Sequence, residues 1–404
     1  VKIALVGPVY PYRAGIAYCT TRLAEEMTKH GEVAVISYRR QYPKRFYPGG
    51  DDIDETLRSR TPPAARFVLD LIDPITWIRT ALLLRRHRPD AVVFVWWIWV
   101  WALPYRLMMA LLPRSTRVAL QCHNIGEKEP AWWKRALANV VFRRADALVV
   151  HAATEERDAR RRAPKAKIVR TFLPVHELGG AIPSRAEARV TLGLSGNVAL
   201  FFGHVRPFKA LDVALRAWAK LRTPATLVVA GEAWWDSEQE YRKLAQELGL
   251  HVIPSRSEES GRGLPMHPHP DSSPSARPGM THEPDMASVL FDFRFIPDSE
   301  IATYFAAADV VLAPYRTEAQ SGVALTAFHF ARPVIASTVG GLPEVVHDGE
   351  NGFLVPPDDP EALGNAIDRF FASDRATMER RAADSARRYS WSEYAEVFKD
   401  LLSQ

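Results

Sequence analysis

Short apolar runs alternate along the chain with longer stretches in which apolar residues recur every three or four positions. Runs of the first kind read as buried strands. In the first half they are Lys2 to Val6, Glu32 to Ser37, Ala91 to Val95, Arg117 to Gln121, Ala147 to His151 and Ile168 to Phe172. In the second half they are Asn197 to Phe202, Thr226 to Ala230, Val289 to Phe295, Asp309 to Ala313 and Pro333 to Ser337. Stretches of the second kind predict helices, among them Ile16 to Lys29, which closes on Gly31 as a C-cap, and 65–88. Ser237 to Leu248, Asp298 to Ala308 with Asp298 as N-cap, and Val323 to Ala331 follow the same pattern. Strand, loop and helix in repetition predict an α/β protein of the doubly wound type.

One segment departs from this alternation. Residues 254–288 carry prolines at 254, 265, 268, 270, 274, 278 and 284, with Ser, Gly and Arg filling much of the rest. Such a composition packs as neither helix nor strand, so a disordered insertion is expected there. The stretch Pro174 to Pro183, with Gly179-Gly180, reads as a linker. The expected organisation is therefore a first domain over 1–175, a linker over 176–195 and a second domain over 196–370. Terminal helices over 371–404 complete it.

Composition adds little except through charge. With 404 residues, 47% hydrophobic and 25% charged, the chain is an ordinary globular protein with room for two cores. Its net charge of +5 is uneven. Residues 1–175 hold 30 Lys and Arg against 16 Asp and Glu, and the remainder 22 against 31. A basic first half suits an anionic partner: a membrane surface, a phosphorylated lipid acceptor or a nucleic acid. A plain solvated basic face is the alternative. Nothing resembles a nucleic-acid module. Two cysteines, Cys19 and Cys122, offer neither a disulfide framework nor metal-ligand spacing, which points to a reducing, cytoplasmic compartment. The opening VKIALVGPVY reads as a first strand and not as a signal peptide. The run WWIWVW, with Trp96, Trp97, Trp99 and Trp101, is too short to span a bilayer. It reads as a core strand entering a buried helix, or as an acceptor groove or interfacial patch.

Three places carry candidate chemistry. Arg206 and Lys209 stand three apart at the head of a helix, where the dipole repels cations; a bound anion would remove that conflict. His123 lies at the carboxyl end of a strand, where open parallel sheets place ligands. The stretch Pro314 to Pro343, PYRTEAQSGVALTAFHFARPVIASTVGGLP, sets a polar loop with Glu318 and Ser321-Gly322 between a strand and a helix N-terminus.

This last stretch resembles the donor-binding signature of the group 1 (glycogen-synthase-like) retaining glycosyltransferases, which have two facing Rossmann-like domains, the GT-B fold. That family usually has a second glutamate where this chain has Thr326, eight positions after Glu318 and seven before Pro333. The resemblance implies roles residue by residue. Arg206 and Lys209 would bind the donor diphosphate, with Ala210 in place of the family's usual Gly. Glu318 would bond donor-sugar hydroxyls, and amides of Ser321, Gly322 and Val323 would hold phosphates. Thr326 would stand at the ribose position, as a weaker or water-mediated contact or within a subgroup that binds ribose otherwise. Gly203 and Gly231 would shape the nucleotide pocket, Gly15 would bring its amide to the phosphates, and His123 would contact the donor sugar. The implied activity is metal-independent, retaining transfer of a hexosyl unit from a nucleoside diphosphate sugar to a glycan or lipid-linked acceptor hydroxyl. It needs no cofactor and implies work in the cytoplasm, at the inner face of a membrane. A nucleotide-sugar epimerase on the same fold and a non-catalytic membrane-surface protein remain alternatives. The last helices would cross back to the first domain.

Overall fold

A computed structural model describes residues 2–13, 15–43, 52–126, 131–177, 181–234, 237–254, 287–317 and 320–403. The chain divides into two compact units. The first comprises Val1–Val175, Thr317–Gly322 and Arg388–Gln404, and the second His176–Arg316 and Val323–Arg387.

The first unit is built on seven strands: β1 Lys2–Val6, β2 Glu32–Arg40, β3 Ala65–Asp70, β4 Ala91–Trp96, β5 Arg117–Cys122, β6 Ala147–Val150 and β7 Lys167–Arg170. They lie in the order β3-β2-β1-β4-β5-β6-β7, every neighbouring pair parallel. Successive side chains of a strand point to opposite faces, and the core divides accordingly. Ala4, Val6, Phe94 and Trp96 face Leu84, Tyr105, Met108 and Phe142 from the helices Pro74–His87, Ala102–Leu111 and Trp132–Phe142. Ile3, Leu5, Ala91 and Val93 face Leu23 of the helix Gly15–Thr28 together with Tyr394, Phe398 and Leu402 of the terminal helix Trp391–Ser403. Both faces are covered, which is why the strands read as unbroken apolar runs.

The second unit repeats the plan with β8 Val198–Phe202, β9 Thr226–Ala230, β10 His251–Ile253, β11 Ser288–Asp292, β12 Val310–Ala313, β13 Val334–Ser337 and β14 Gly352–Val355. Their order is β10-β11-β9-β8-β12-β13-β14, again all parallel. The order reverses direction between β8 and β12. There the crossover helices leave for opposite faces and a crevice opens beyond the carboxyl ends of the strands.

The structure corrects three expectations. The region 65–88 is not continuous helix. Arg66-Phe67-Val68-Leu69 forms an edge strand first, and Asp70, ion-paired with Arg39 and Arg40, closes it before Asp73 caps the helix. The range 176–195 is not all linker. Ser184 and Glu187 form a reciprocal capping box that starts the helix Arg185–Leu192. Of the two terminal helices, Arg375–Ala386 stays with the second unit, Met378 lying in its core, and only Trp391–Ser403 belongs to the first. Trp96 and Trp101 are 2% and 0% exposed, which agrees with the reading of WWIWVW as a core strand entering a buried helix, while Trp97 and Trp99 are half-buried. The expected insertion 254–288 falls, except for Pro254, Ala287 and Ser288, outside the described residues, as does Glu318.

Candidate functional site

At the switch point of the second unit the loops after β8 and β9 run backbone against backbone. Gly203 N donates to Ala230 O at 2.9 Å, Val205 N to Glu232 O at 2.9 Å, and Gly231 N to Asp292 O at 3.0 Å. Gly231 has φ +142°, and a Cβ there would lie 2.3 Å from Gly203 O. Only glycine lets the two loops approach this closely. Gly203 itself has φ +87°.

Lys209 ends the short 3-10 turn Pro207–Lys209, and Ala210 follows in the left-handed region at φ 57°. That conformation accounts for the family's preference for Gly at this place, since a side chain costs about 1–2 kcal/mol there. The turn folds Lys209 back over the sheet. Its Nζ donates to Phe202 O at 3.3 Å and lies 5.5 Å from the centre of the Tyr315 ring. A Cβ at Gly203 would sit 3.1 Å from Lys209 Nζ and 3.8 Å from Val323 Cγ2. Ammonium, glycine and the first turn of the helix Gly322–His329 thus share one spot beyond the ends of β8 and β12. Arg206 flanks it, its Cζ 3.6 Å from the centre of the Trp234 ring, a cation–π contact that fixes the guanidinium.

Arg316 was missed in the sequence. Its side chain donates to Pro207 O at 2.7 Å and to both Asp212 oxygens at 3.0 and 2.7 Å, and its amide to Phe208 O at 2.7 Å. It staples the turn that carries Lys209, and the hydrogen bonds to the Asp212 carboxylate raise its already high pKa further. Trp234 was missed as well; its only local signal is a large aromatic residue just past the Gly231-Glu232 turn. Thr326 is 4% exposed, packed on the inner side of its helix. Ser321 is buried just before that helix, and Gly322 is exposed at its first position.

In the first unit His123 follows β5, its amide donating to Trp96 O at 2.8 Å. Its half-buried ring stacks on that of His151 at 5.5 Å, and its Nε2 has no hydrogen-bond partner among the described residues. Desolvation, with the neighbouring His151, pushes the His123 pKa down to about 3; burial pushes His151 to about 4. Both rings are therefore neutral near pH 7, so His123 can meet a hydroxyl as a hydrogen-bonding group but not as a cation. Behind it, His151 Nε2 and Tyr394 OH are 2.8 Å apart, and Gln121 Nε2 donates to Tyr394 OH at 2.9 Å. Gly15 is exposed at the first position of its helix, with open space where a Cβ would stand. The sterically obligatory glycine of that first loop is Gly7, where a Cβ would come within 2.5 Å of Val95 Cγ2.

Among the described residues no group of three or more His, Cys, Asp or Glu is placed to hold a metal ion, and both cysteines are buried thiols.

The family profile described as "Glycosyl transferases group 1" matches residues 284–373, and that of the "Glycosyl transferase 4-like domain" matches residues 14–172. The chain belongs to the group 1 glycosyltransferases. Among similar relatives in that group is the D-inositol 3-phosphate glycosyltransferase of Saccharomonospora viridis. It is 32% identical over 285 residues, 65% of this chain and 57% of that protein. The protein of the same name from Streptomyces avermitilis is 34% identical over 227 residues, 54% of this chain and 42% of that one. The chain thus spans about half the length of the relatives it matches. Two solved structures share its GT-B fold. Anabaena HepE in complex with UDP-glucose has a TM-score of 0.73 at 17% identity, with 100% of both chains covered. Sucrose-phosphate synthase from Thermosynechococcus elongatus has a TM-score of 0.71 at 19% identity, covering 100% of this chain and 99% of that one.

Proposed function

We propose that the protein transfers a hexosyl unit from a nucleoside diphosphate sugar to a hydroxyl of a glycan or lipid-linked acceptor, with retention of anomeric configuration and without a metal ion. The observation that carries this reading is the convergence of Lys209, Gly203 and Val323 at the switch point, with Arg206 held on Trp234 beside it. Two cations and the head of a helix collected where the sheet opens suit a diphosphate.

In the proposed step the bond from the anomeric carbon to the diphosphate oxygen breaks. The bond to the acceptor oxygen forms on the same face, and the acceptor proton passes to the departing phosphate. Negative charge builds on the diphosphate as it leaves. Arg206 and Lys209 stabilise it there without reorganising, because cation–π contact and the stapled turn already hold them. Amides of Ser321, Gly322 and Val323 bind phosphate oxygens, and Gly15 adds its own amide. Glu318 takes sugar hydroxyls, and the neutral imidazole of His123 takes another. No side chain serves as nucleophile. With Thr326 buried, ribose is bound through other groups or through water. The acceptor is met in the cytoplasm, at the surface of an anionic membrane.

Incubation with a panel of UDP-, GDP- and ADP-sugars tests the reading. Transfer, or slow hydrolysis that releases free nucleoside diphosphate, is expected for at least one donor. An isomerised sugar still carrying its diphosphate would make the protein an epimerase, and no turnover of any donor would leave a binding protein.

A further inference from the structure

On one face of the first unit the helices Pro74–His87, Ala102–Leu111 and Trp132–Phe142 lie side by side over the sheet. Their 14, 10 and 11 residues contain no Asp or Glu, against six Lys and Arg. Their outward sides are not merely basic. Ile75 is 59% exposed, Ile78 44%, Leu82 46%, Leu103 59% and Trp132 82%. Ile75, Ile78 and Leu82 recur at helical spacing, so they form one outward row, with exposed Arg79 and Arg86 beside them. Among the described residues no carboxylate pairs with Arg79, Arg86 or Arg135. Trp133 packs against Trp99 at 4.7 Å, and Lys134 lies 5.8 Å from that ring, which ties the third helix to the WWIWVW segment.

A soluble surface hides large aliphatic groups or intersperses acids among its bases. This face does neither. An apolar row beside unpaired cations, with no acid inside the three helices and the capping Asp73 paired with Arg39, matches one environment: lipid tails under anionic headgroups. A second copy of the chain fits badly, since a two-fold contact would set three helices that carry bases and no acids against themselves, cation to cation. Nucleic acid would use the arginines but leave the aliphatic row in water.

We propose that this face docks on an anionic lipid bilayer, with Ile75, Ile78, Leu82, Leu103 and Trp132 entering the headgroup region and Arg79 and Arg86 meeting lipid phosphates. The proposal deepens the acceptor half of the reading above, but its test needs no turnover.

Flotation of the whole chain with phosphatidylcholine vesicles, with and without phosphatidylglycerol, tests it at low and high salt. Expected is partition onto the anionic vesicles alone, weakened by salt. Arg79→Glu with Arg86→Glu should lower the partition coefficient at least about 25-fold, at roughly fivefold per cation removed. Ile75→Ser with Leu82→Ser should lower it about tenfold or more. All four positions are exposed, so the fold should survive, and nucleoside diphosphate binding should be unchanged in both variants. Equal binding to neutral vesicles, or insensitivity to either double variant, overturns the proposal. So does no flotation combined with self-association that these variants abolish, or retention on an oligonucleotide and not on vesicles. Loss of nucleotide binding in the wild type would instead strike at the proposed transfer and leave the membrane result standing.

Discussion

The guanidinium carbon of Arg206 lies 3.6 Å from the centre of the Trp234 ring. The two residues come from the loops after neighbouring strands β8 and β9, joined through Val205 N to Glu232 O and Trp234 N to Val205 O. A flexible arginine is thereby set in place before any anion arrives, which lowers the entropy lost on binding. Trp234→Leu should therefore weaken nucleoside diphosphate affinity about three- to tenfold, given about 1 kcal/mol for the contact. Trp234→Phe should retain most of it. Titration calorimetry with the diphosphate and the bare nucleoside checks this: an equal loss for both would mean the ring serves the base or the fold, not the arginine.

Lys209 is the residue on which transfer should depend most. Its ammonium is placed by a 3-10 turn and by Arg316, which donates to Pro207 O and Asp212. Lys209→Ala should lower kcat by about 100- to 1000-fold, the range for removing a preorganised group facing developing charge. The thermal midpoint should stay within a few degrees. Wild-type turnover in that variant would remove the lysine from the site.

Much of the fold was legible in the sequence, and the exceptions have physical causes. Arg206 and Lys209 stand out because two cations at a helix head conflict with the dipole. His123 stands out because it ends a buried run. What local reading cannot supply is partners distant in sequence. Trp234 reaches Arg206 across a strand pairing, and Tyr394 reaches His151 from a helix 243 residues further on. The strand Ala65–Asp70 reads as helix because its exposed edge mixes Arg66 with Phe67, so alternation is brief and the helical stretch behind it dominates. The helix Arg185–Leu192 hid in an apparent linker, although Ser184 and Glu187 carry the capping-box spacing. Thr326 reads from its place in a motif as the ribose position, a weaker or water-mediated contact or a different mode of ribose binding, and no local pattern reveals that its side chain is buried.

Gly231 is where the fold of the site is least tolerant. With φ +142° and Gly203 O at 2.3 Å from any Cβ, Gly231→Ala must push two strand-end loops apart. The expected loss is about 3 kcal/mol or more, from backbone strain plus displacement. Urea unfolding would measure it. By contrast Gly15→Ala, with open space around its Cβ position, should change stability by less than about 0.5 kcal/mol. Equal losses for the two would contradict the close approach of the β8 and β9 loops.

The stacked histidines predict how stability responds to acid. His151 is buried against Tyr394 and its pKa is pushed down to about 4, that of His123 to about 3. In the unfolded chain both would titrate near 6.5. Below about pH 6.5 the unfolded state therefore takes up protons that the native state refuses. Stability should be whole above that value and fall as pH drops toward the folded pKa values, by roughly 1.4 kcal/mol per pH unit for each fully titrating histidine. His87 and His329, also lowered by burial, act in the same direction, so a control is needed. His151→Gln keeps a polar group beside Tyr394 but removes one titrating site. Between about pH 6.5 and 4.5 the wild type should lose stability more steeply than this variant in urea titrations. Parallel curves would mean that His151 is protonated in the folded state and that its ring is not sealed behind the terminal helix.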